Sequence, residues 1–249
     1  MTKLTTIFEY LKEKAPLELA ESWDNSGLLI RGQEEVEGIL LTMDVTDAVV
    51  EEAIEKKCQL IVSHHPVIFR PLKSLDSSSF IGKLMKHDIT VISMHTNLDK
   101  TDGGVNDVLA KAIGLSDIEY FAEIGRMGQL EEPLPMKEFA ENVAKVLDTT
   151  VKYTLPEKMI KKVALIGGAA GEYWTDAKEA GADVYLSGEA SHHHALDAMG
   201  EDLAILVGGH WNTERPVLYA LSNDIKDHVK NVVVMVSEQD QDPYSYYMN

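Results

Sequence analysis

Seven of the nine histidines in this chain follow directly after predicted strands. They are His64, His65, His95, His192, His193, His194 and His210. Because α/β proteins place ligand sites at the carboxyl ends of their strands, this distribution favours a functional site built from imidazoles. The single cysteine, Cys58, lies in an apolar stretch, so histidines and carboxylates must hold any metal ion.

The Ser63-His64-His65-Pro66 motif follows a predicted strand at 60–62. Neighbouring side chains on an extended backbone point in opposite directions, so two adjacent histidines rarely chelate one ion. Each of them can instead bind a different ion. The alternative is a structural role at the strand end, and for an isolated pair of histidines it is the more common one.

Two further loops carry carboxylates beside histidines. Asp99 follows His95 by four residues and, taken alone, is typical of a turn or cap carboxylate. His95 either binds a metal ion or orients a residue that does. In the second loop a pair of glycines precedes His210 and Glu214, with Thr213 as the expected N-cap of a helix. An ordinary capped helix start is an equal alternative there.

Apart from His95, these loops together supply three imidazoles and two carboxylates. Such a set fits Zn, Mn, Fe, Co or Ni better than Mg or Ca, which prefer shells of oxygen atoms alone. Five protein ligands exceed what one open tetrahedral zinc needs, but they suit two ions that share a bridging carboxylate. Two ions about 3.5–4 Å apart acidify a shared water molecule and polarise a substrate oxygen.

The cluster His192-His193-His194 begins a predicted helix that ends near Gly200. Three consecutive helical positions spread over about 200° of the helix surface, so at most two of them face one site. The simpler interpretation has one inward and two solvated histidines. The functional alternative is proton transfer from His192 or His193 to a leaving group, and these two residues and His95 are the candidate catalytic residues.

The composition is that of a globular protein, with 249 residues, 45% hydrophobic and 26% charged. No apolar run reaches the ~18–20 residues of a membrane-spanning helix, and the start lacks a secretory signal pattern, so we expect a cytoplasmic protein. The formal net charge of −18 opposes the attraction to phosphates on which general nucleic-acid binding depends.

Apolar periodicity predicts alternating strands and helices in the first half of the chain. The first helix is expected at about 6–14, where Thr6 and Glu9 have the spacing of a capping box. Leu130–Pro135 resembles a linker, and a helix is expected from Met136 onward. The remaining expected elements are strands at 38–43 and 90–94 and helices at 46–57 and about 104–113.

The second half repeats this pattern. At an offset of 124 residues, 39–41 and 60–63 fall on 163–165 and 184–187, and at an offset of 114 residues, 88–92 falls on 202–206. An internal duplication accounts for these matches better than chance. We therefore expect an α/β fold with mixed or parallel sheets and two repeats. Repeat 1–125 carries the SHHP and HTNLD loops, and repeat 126–249 carries the SGEASHH and GGHWNTE loops.

The chain contains seven motifs in a fixed order: SWDNSGLLI, SHHPVIFRPLKSL, HTNLDKTDGGVND, GRMGQLEEPLPMKEF, SGEASHH, GGHWNTE and DPYSYY. This ordered set resembles that of the Ngg-interacting-factor-three-like dinuclear metal-centre proteins, which are also labelled GTP cyclohydrolase 1 type 2-like. The resemblance covers essentially the whole chain, which is similar to the compact members that lack an inserted domain between the halves.

The resemblance implies a duplicated three-layer α/β/α fold and a toroidal homohexamer whose metal sites face a central cavity. It also implies two divalent ions per chain, with Glu214 bridging them. The implied ligands are His64, His65, Asp99, His210 and Glu214. The sequence contains no P-loop or guanine-specifying motif that would support GTP independently.

Three functions remain open. The first is a metal-dependent hydrolase that uses a metal-bound hydroxide on a nucleotide-like or other small polar substrate. The second is a non-catalytic, ring-shaped metal-binding scaffold or regulatory protein, which the family's association with transcription-factor interaction favours. The third, passage of single-stranded nucleic acid through a ring, is opposed by the net charge of −18.

Overall fold

The computed structural model describes residues 1–245, so Tyr246 and Tyr247 of the closing DPYSYY motif lie outside the described residues. The architecture is α/β with parallel and antiparallel strands, as predicted. The strands are β1 (Thr2–Lys3), β2 (Gly27–Ile30), β3 (Glu35–Val36), β4 (Gly38–Thr42), β5 (Leu60–Ser63), β6 (Thr90–Ser93), β7 (Ser116–Phe121), β8 (Gly125–Pro135), β9 (Lys152–Tyr153), β10 (Met159–Ala169), β11 (Val184–Glu189), β12 (Ala204–Val207) and β13 (Val233–Val236).

Ten α-helices occur among the described residues, and short 3-10 turns lie at Leu17–Leu19 and Gly171–Tyr173. None of the helices within residues 1–245 has the length and apolar character needed to span a membrane. The helices are α1 (Leu4–Lys14), α2 (Asp47–Glu55), α3 (Phe80–Lys86), α4 (Thr96–Lys100), α5 (Val105–Ala112), α6 (Met136–Leu147), α7 (Trp174–Glu179), α8 (His192–Gly200), α9 (His210–Glu214) and α10 (Pro216–His228).

The chain divides into two compact units. The first contains Met1–Thr101 and Leu218–Gln241, and the second contains Asp102–Val217 with 242–245 among the described residues. This division differs from the predicted repeats 1–125 and 126–249 because of strand pairing. β13 pairs with β4 of the first sheet, whereas β7 pairs with β8 of the second.

The first unit has a five-stranded sheet in the order β13-β4-β5-β6-β2. Its first four strands are parallel, and β2 is an antiparallel edge. Every residue of β4, β5 and β6 is buried, which explains their short continuous apolar runs. Thr46 caps α2 by accepting a hydrogen bond from the N–H of Val49, and Val49 and Ala53 share a core with Leu40 and Ile61.

The second unit has a six-stranded sheet in the order β7-β8-β10-β11-β12-β9. Successive residues of β10 face opposite sides of this sheet. Val163 shares one core with Phe139 of α6, and Ala164 shares another with Ala177 of α7. Helices therefore cover both faces, which gives the unit the expected three-layer α/β/α arrangement.

The strand register of the two sheets repeats at the offsets found in the sequence. Each sheet contains three neighbouring parallel strands, β4-β5-β6 or β10-β11-β12, in which one residue of each strand is the register partner of the next. An antiparallel strand follows in both sheets, where β2 pairs with β6 and β9 pairs with β12. The aligned rows are Ile39–Leu60–Thr90 and Val163–Val184–Ala204. The two sheets differ on the other side, where the neighbour of β4 is parallel and that of β10 is antiparallel.

Two local predictions are wrong, namely the capping box at Thr6 and Glu9 and the linker at Leu130–Pro135. α1 begins at Leu4 without a side-chain cap, because the Leu4 N–H donates instead to the carbonyl oxygen of Glu34 at 2.7 Å. The expected linker Leu130–Pro135 is the end of β8, which pairs with β10 through Leu134 and Ile160. The last residue of β8 that pairs with β7 is Gln129, so the proline-containing end is an edge, where proline is tolerated.

Glu52 ties the C-terminal segment of the first unit to α2. Its side chain is only 5% exposed, and its carboxylate accepts hydrogen bonds from the Ser237 hydroxyl and from the backbone N–H groups of Glu238 and Gln239. Lys56 donates to the same carboxylate at 2.7 Å. Burial raises the pKa of Glu52, but these hydrogen bonds outweigh it and hold the pKa below the ordinary value.

We predict that Glu52→Gln lowers the free energy of unfolding at neutral pH by about 1.5–3 kcal/mol, because charge-assisted hydrogen bonds are lost. A depressed folded-state pKa stabilises the fold above the unfolded-state value of about 4.3, and that stability is lost as the pH falls. The difference between the two proteins should therefore shrink in acid. Urea unfolding at several pH values measures it, with exposed Glu55→Gln on the same helix as the control. Equal stability of wild type and Glu52→Gln at neutral pH would contradict the prediction.

Candidate metal centre

Four of the predicted site residues meet in the first unit. His64 and His65 follow β5, and His95 follows the neighbouring parallel strand β6, so the strand ends bring them together. One potential ligand atom from each of these three histidines lies within 4.8 Å of the other two. Asp99 in α4 places its Oδ1 3.6 Å from Nε2 of His64. The group has the donor chemistry of a transition-metal site.

Each imidazole of this group is oriented through its Nδ1 atom. Nδ1 of His64 lies 2.9 Å from the carbonyl oxygen of Met94, which can only accept a hydrogen bond. Nδ1 of His65 lies 2.9 Å from Oδ1 of Asp44, and Nδ1 of His95 lies 2.8 Å from the Asp24 carboxylate. A proton on Nδ1 leaves Nε2 as the basic atom, which is the pattern of histidines that bind metals.

Asp24 is a residue of the candidate site that the sequence analysis missed, although it lies in the SWDNSGLLI motif. Its side chain is fully buried, and its Oδ2 accepts hydrogen bonds from the Ser26 hydroxyl and from both the N–H and the hydroxyl of Thr96. Burial raises the pKa of Asp24, but the hydrogen bonds from His95, Thr96 and Ser26 outweigh it and hold the pKa well below its ordinary range. An ionised Asp24 thus fixes the ring of His95.

Two further predicted site residues, His210 and Glu214, lie in the second unit. Both lie in α9, one helical turn apart, with Nε2 of His210 3.4 Å from Oε2 of Glu214. Nδ1 of His210 is 2.7 Å from Oε1 of Glu189 at the end of β11. Glu189 therefore orients His210 in the way that Asp24 orients His95, a role that the sequence analysis did not assign.

Thr213 does not cap the helix as expected. α9 begins at His210, and the Thr213 hydroxyl lies inside it, where it donates to the carbonyl oxygens of Gly209 and His210. The same hydroxyl accepts a hydrogen bond from the N–H of Gly168 at 3.1 Å. Thr213 thus joins the helix that carries the two candidate ligands to the end of β10.

Gly168 permits the position of the Glu214 carboxylate. Its φ is +69°, a left-handed value that favours glycine, and a Cβ atom there would lie 2.1 Å from Oε1 of Glu214. No other residue type fits without moving the carboxylate. Gly167 and Gly168 form a glycine pair just after the strand expected at 163–165, like the glycine pair that precedes His210. This pair was the sequence signal that could have identified Gly168.

The three consecutive histidines lie in the first turn of α8. Ser191 caps this helix, and its hydroxyl is also 3.0 Å from Nδ1 of His193. His192 and His193 are exposed, whereas His194 is half-buried. Among residues 1–245, the groups that could hold a metal ion contain none of the three. Their role in proton transfer stays a prediction.

We predict that Gly168→Ala weakens metal binding by displacing Glu214. Gly181 offers a matched control, because its φ is +74° and nothing lies within 4 Å of an added Cβ. Both substitutions should cost about 1–3 kcal/mol of stability through backbone strain. Only Gly168→Ala should lower metal affinity, by about 10- to 100-fold as for other disturbed ligand environments. Chelator competition and urea unfolding measure the two effects, and equal affinities in the two variants would contradict the prediction.

Comparison with known proteins agrees with the ordered motifs. Residues 2–243 match the family described as Duf34/NIF3 (NGG1p interacting factor 3). A Clostridium perfringens protein named GTP cyclohydrolase 1 type 2 homolog is 32% identical, and the match covers 98% of this chain and 99% of that protein. NIF3-like protein 1 of Drosophila melanogaster is 33% identical over 97% of this chain and 88% of its own length.

Solved structures give the same result. A crystal structure of a Staphylococcus aureus hypothetical protein matches with a TM-score of 0.91 and 31% identity, covering 99% of both chains. The whole-length family match and these relatives lead to one conclusion: the chain belongs to the DUF34/NIF3 family.

Proposed function

We propose that this chain is a dinuclear metal-dependent hydrolase that acts on a nucleotide-like or other small polar substrate. The observation that carries the proposal is the grouping of His64, His65 and Asp99 in the first unit, with both imidazoles oriented through Nδ1 and His95 beside them as a third oriented imidazole. Such preorganised donors are typical of metal sites. The name of the Clostridium perfringens relative, GTP cyclohydrolase 1 type 2 homolog, supports a nucleotide-like substrate.

By the family resemblance, the residues that would hold the ions are His64, His65, Asp99, His210 and Glu214, and Glu214 would be shared by both ions. Imidazole and carboxylate donors without thiolate suit Zn, Fe, Mn, Co or Ni. The cradle that Gly168 leaves for the Glu214 carboxylate supports the fit, because no side chain competes for that space.

When bound, divalent ions at this centre supply Lewis acidity, which polarises a substrate oxygen and acidifies water. The chain itself supplies proton transfer. His95, with its Nδ1 held by ionised Asp24, accepts a proton at Nε2. His192 or His193 then protonates the leaving group from the exposed first turn of α8. Closed homo-oligomerisation, expected as a hexamer, and a cytoplasmic location stay predictions.

We predict about two divalent ions per chain after purification without chelator. Asp99→Ala should lose mainly one ion, whereas Glu214→Ala should lose both, because only the latter residue is assigned to bridge them. Elemental analysis measures the stoichiometry, with exposed Glu179→Ala in the second unit as the control. Absence of metal, with no uptake of added Zn or Mn, would overturn the dinuclear assignment.

Replacement of the proton donor should slow turnover without removing metal. We expect His192→Ala or His193→Ala to reduce kcat by about 10²–10⁴-fold, the usual contribution of general acid catalysis. Steady-state kinetics and elemental analysis on the same preparations separate the two effects. Unchanged turnover in both variants, with metal content intact, would remove this role from α8.

Turnover itself is tested with metal-loaded protein against nucleotides, phosphoesters and cyclic amides. Glu214→Ala serves as the blank, because contaminating hydrolases would act equally in both preparations. Hydrolysis by the wild type alone supports the proposal. Full metal loading without turnover of any of these compounds would contradict it and would favour the non-catalytic scaffold.

A further inference from the structure

Two large aromatic side chains lie exposed beside His95 in the first unit. Trp23 is 59% exposed and Phe69 is 47% exposed. Their ring centroids lie 6.0 and 6.4 Å from that of His95 and 6.1 Å from each other. Exposed aromatic side chains that cluster in this way typically mark a binding surface, because each would gain free energy by burial.

The three rings meet at steep angles instead of stacking on one another. The planes of Trp23 and Phe69 are inclined at 59°, and both are close to perpendicular to His95, at 74° and 79°. A tilted arrangement with about half of each side chain in solvent leaves ring surface open to a further planar group.

The backbone beside both aromatic residues is anchored. Trp23 directly precedes Asp24, whose buried carboxylate is hydrogen-bonded to Nδ1 of His95. Phe69 directly follows Ile68, whose carbonyl oxygen accepts a hydrogen bond from the Asn25 side chain. These two hydrogen bonds fix the backbone next to Trp23 and Phe69 beside the histidine group. The exposed positions of the two rings therefore follow from the fold.

Cations lie on the segment that carries Phe69. Arg70 and Lys73 are both exposed, and Arg70 directly follows Phe69. In a chain with a formal net charge of −18, exposed cations one and four residues after Phe69 are suited to an anionic aromatic ligand.

We propose that Trp23 and Phe69 form a stacking platform for the planar heteroaromatic ring of a phosphorylated substrate, with the phosphate bound by Arg70 and Lys73. The substrate class is thereby narrowed to nucleotides or similar phosphorylated heterocycles, a step that rests on the proposed hydrolase function. Stacking of a base on an aromatic side chain tolerates different bases, so ring planarity is the property recognised.

The test compares the binding of GMP, AMP and ribose 5-phosphate to the metal-loaded full chain by calorimetry. Trp23→Ala and Phe69→Ala should each weaken GMP and AMP binding by about 5- to 150-fold and leave ribose 5-phosphate binding unchanged, because only the base stacks. Trp23→Phe should restore most of the affinity. Leu72→Ala is the matched control, since Leu72 is 50% exposed on the same segment but has no aromatic ring.

Three outcomes would overturn the platform. They are GMP binding no tighter than that of ribose 5-phosphate, unchanged GMP affinity in both alanine variants, and an equal loss in Leu72→Ala. Arg70→Ala should weaken the binding of all three ligands by the same factor. A loss of affinity for GMP alone would contradict the proposal that Arg70 binds the phosphate. Ring-dependent binding without any hydrolysis would sustain the platform while the proposed function fails, so the two failures are distinguishable.

Discussion

The parallel pairing of β5 with β6 is the constraint on which the group of His64, His65 and His95 in the first unit depends. Ser63 and Ser93 are register partners, and their hydroxyl groups lie 2.8 Å apart. The backbone hydrogen bonds between the strands continue past the strand ends. The N–H of His64 donates to the carbonyl oxygen of Thr42, and the N–H of Met94 donates to that of Ser63. Because the backbone is fixed up to the histidines themselves, their side chains emerge at one edge of the sheet with little freedom.

Residues at corresponding positions after the duplicated strands have different chemical roles. At the offset of 124 residues, His65 of the first sheet corresponds to Glu189 of the second. His65 presents an imidazole as a potential ligand, whereas Glu189 orients the imidazole of His210. The repeat therefore preserves strand position while the side chains that follow the strands diverge, which agrees with fold and function being separable properties.

Carboxylates that orient histidines recur in both units. Asp44 contacts His65, Asp24 contacts His95 and Glu189 contacts His210, each through Nδ1. Such a contact fixes the tautomer and the ring plane. Part of the acidic excess of this protein thus serves to set the tautomer and direction of imidazoles.

The sequence by itself determined the strands that carry the site, their duplication and the types of donor available. The apolar runs at 38–43, 60–62 and 90–94 predict buried strands, and the structure contains β4, β5 and β6 there. Successive residues of a strand face opposite sides of the sheet, so a strand whose two faces are both buried is apolar throughout. The sequence also placed the histidines directly after those strands, which is a local property.

Only the tertiary structure decided which groups orient the histidines. Asp24 meets His95 across 71 residues and Glu189 meets His210 across 21, and no local spacing encodes such contacts. The need for glycine at position 168 is likewise invisible locally, because it arises from a carboxylate 46 residues away in the chain. Local pattern fixes which face of an element is apolar, whereas the partners of a polar side chain depend on the packing of distant elements.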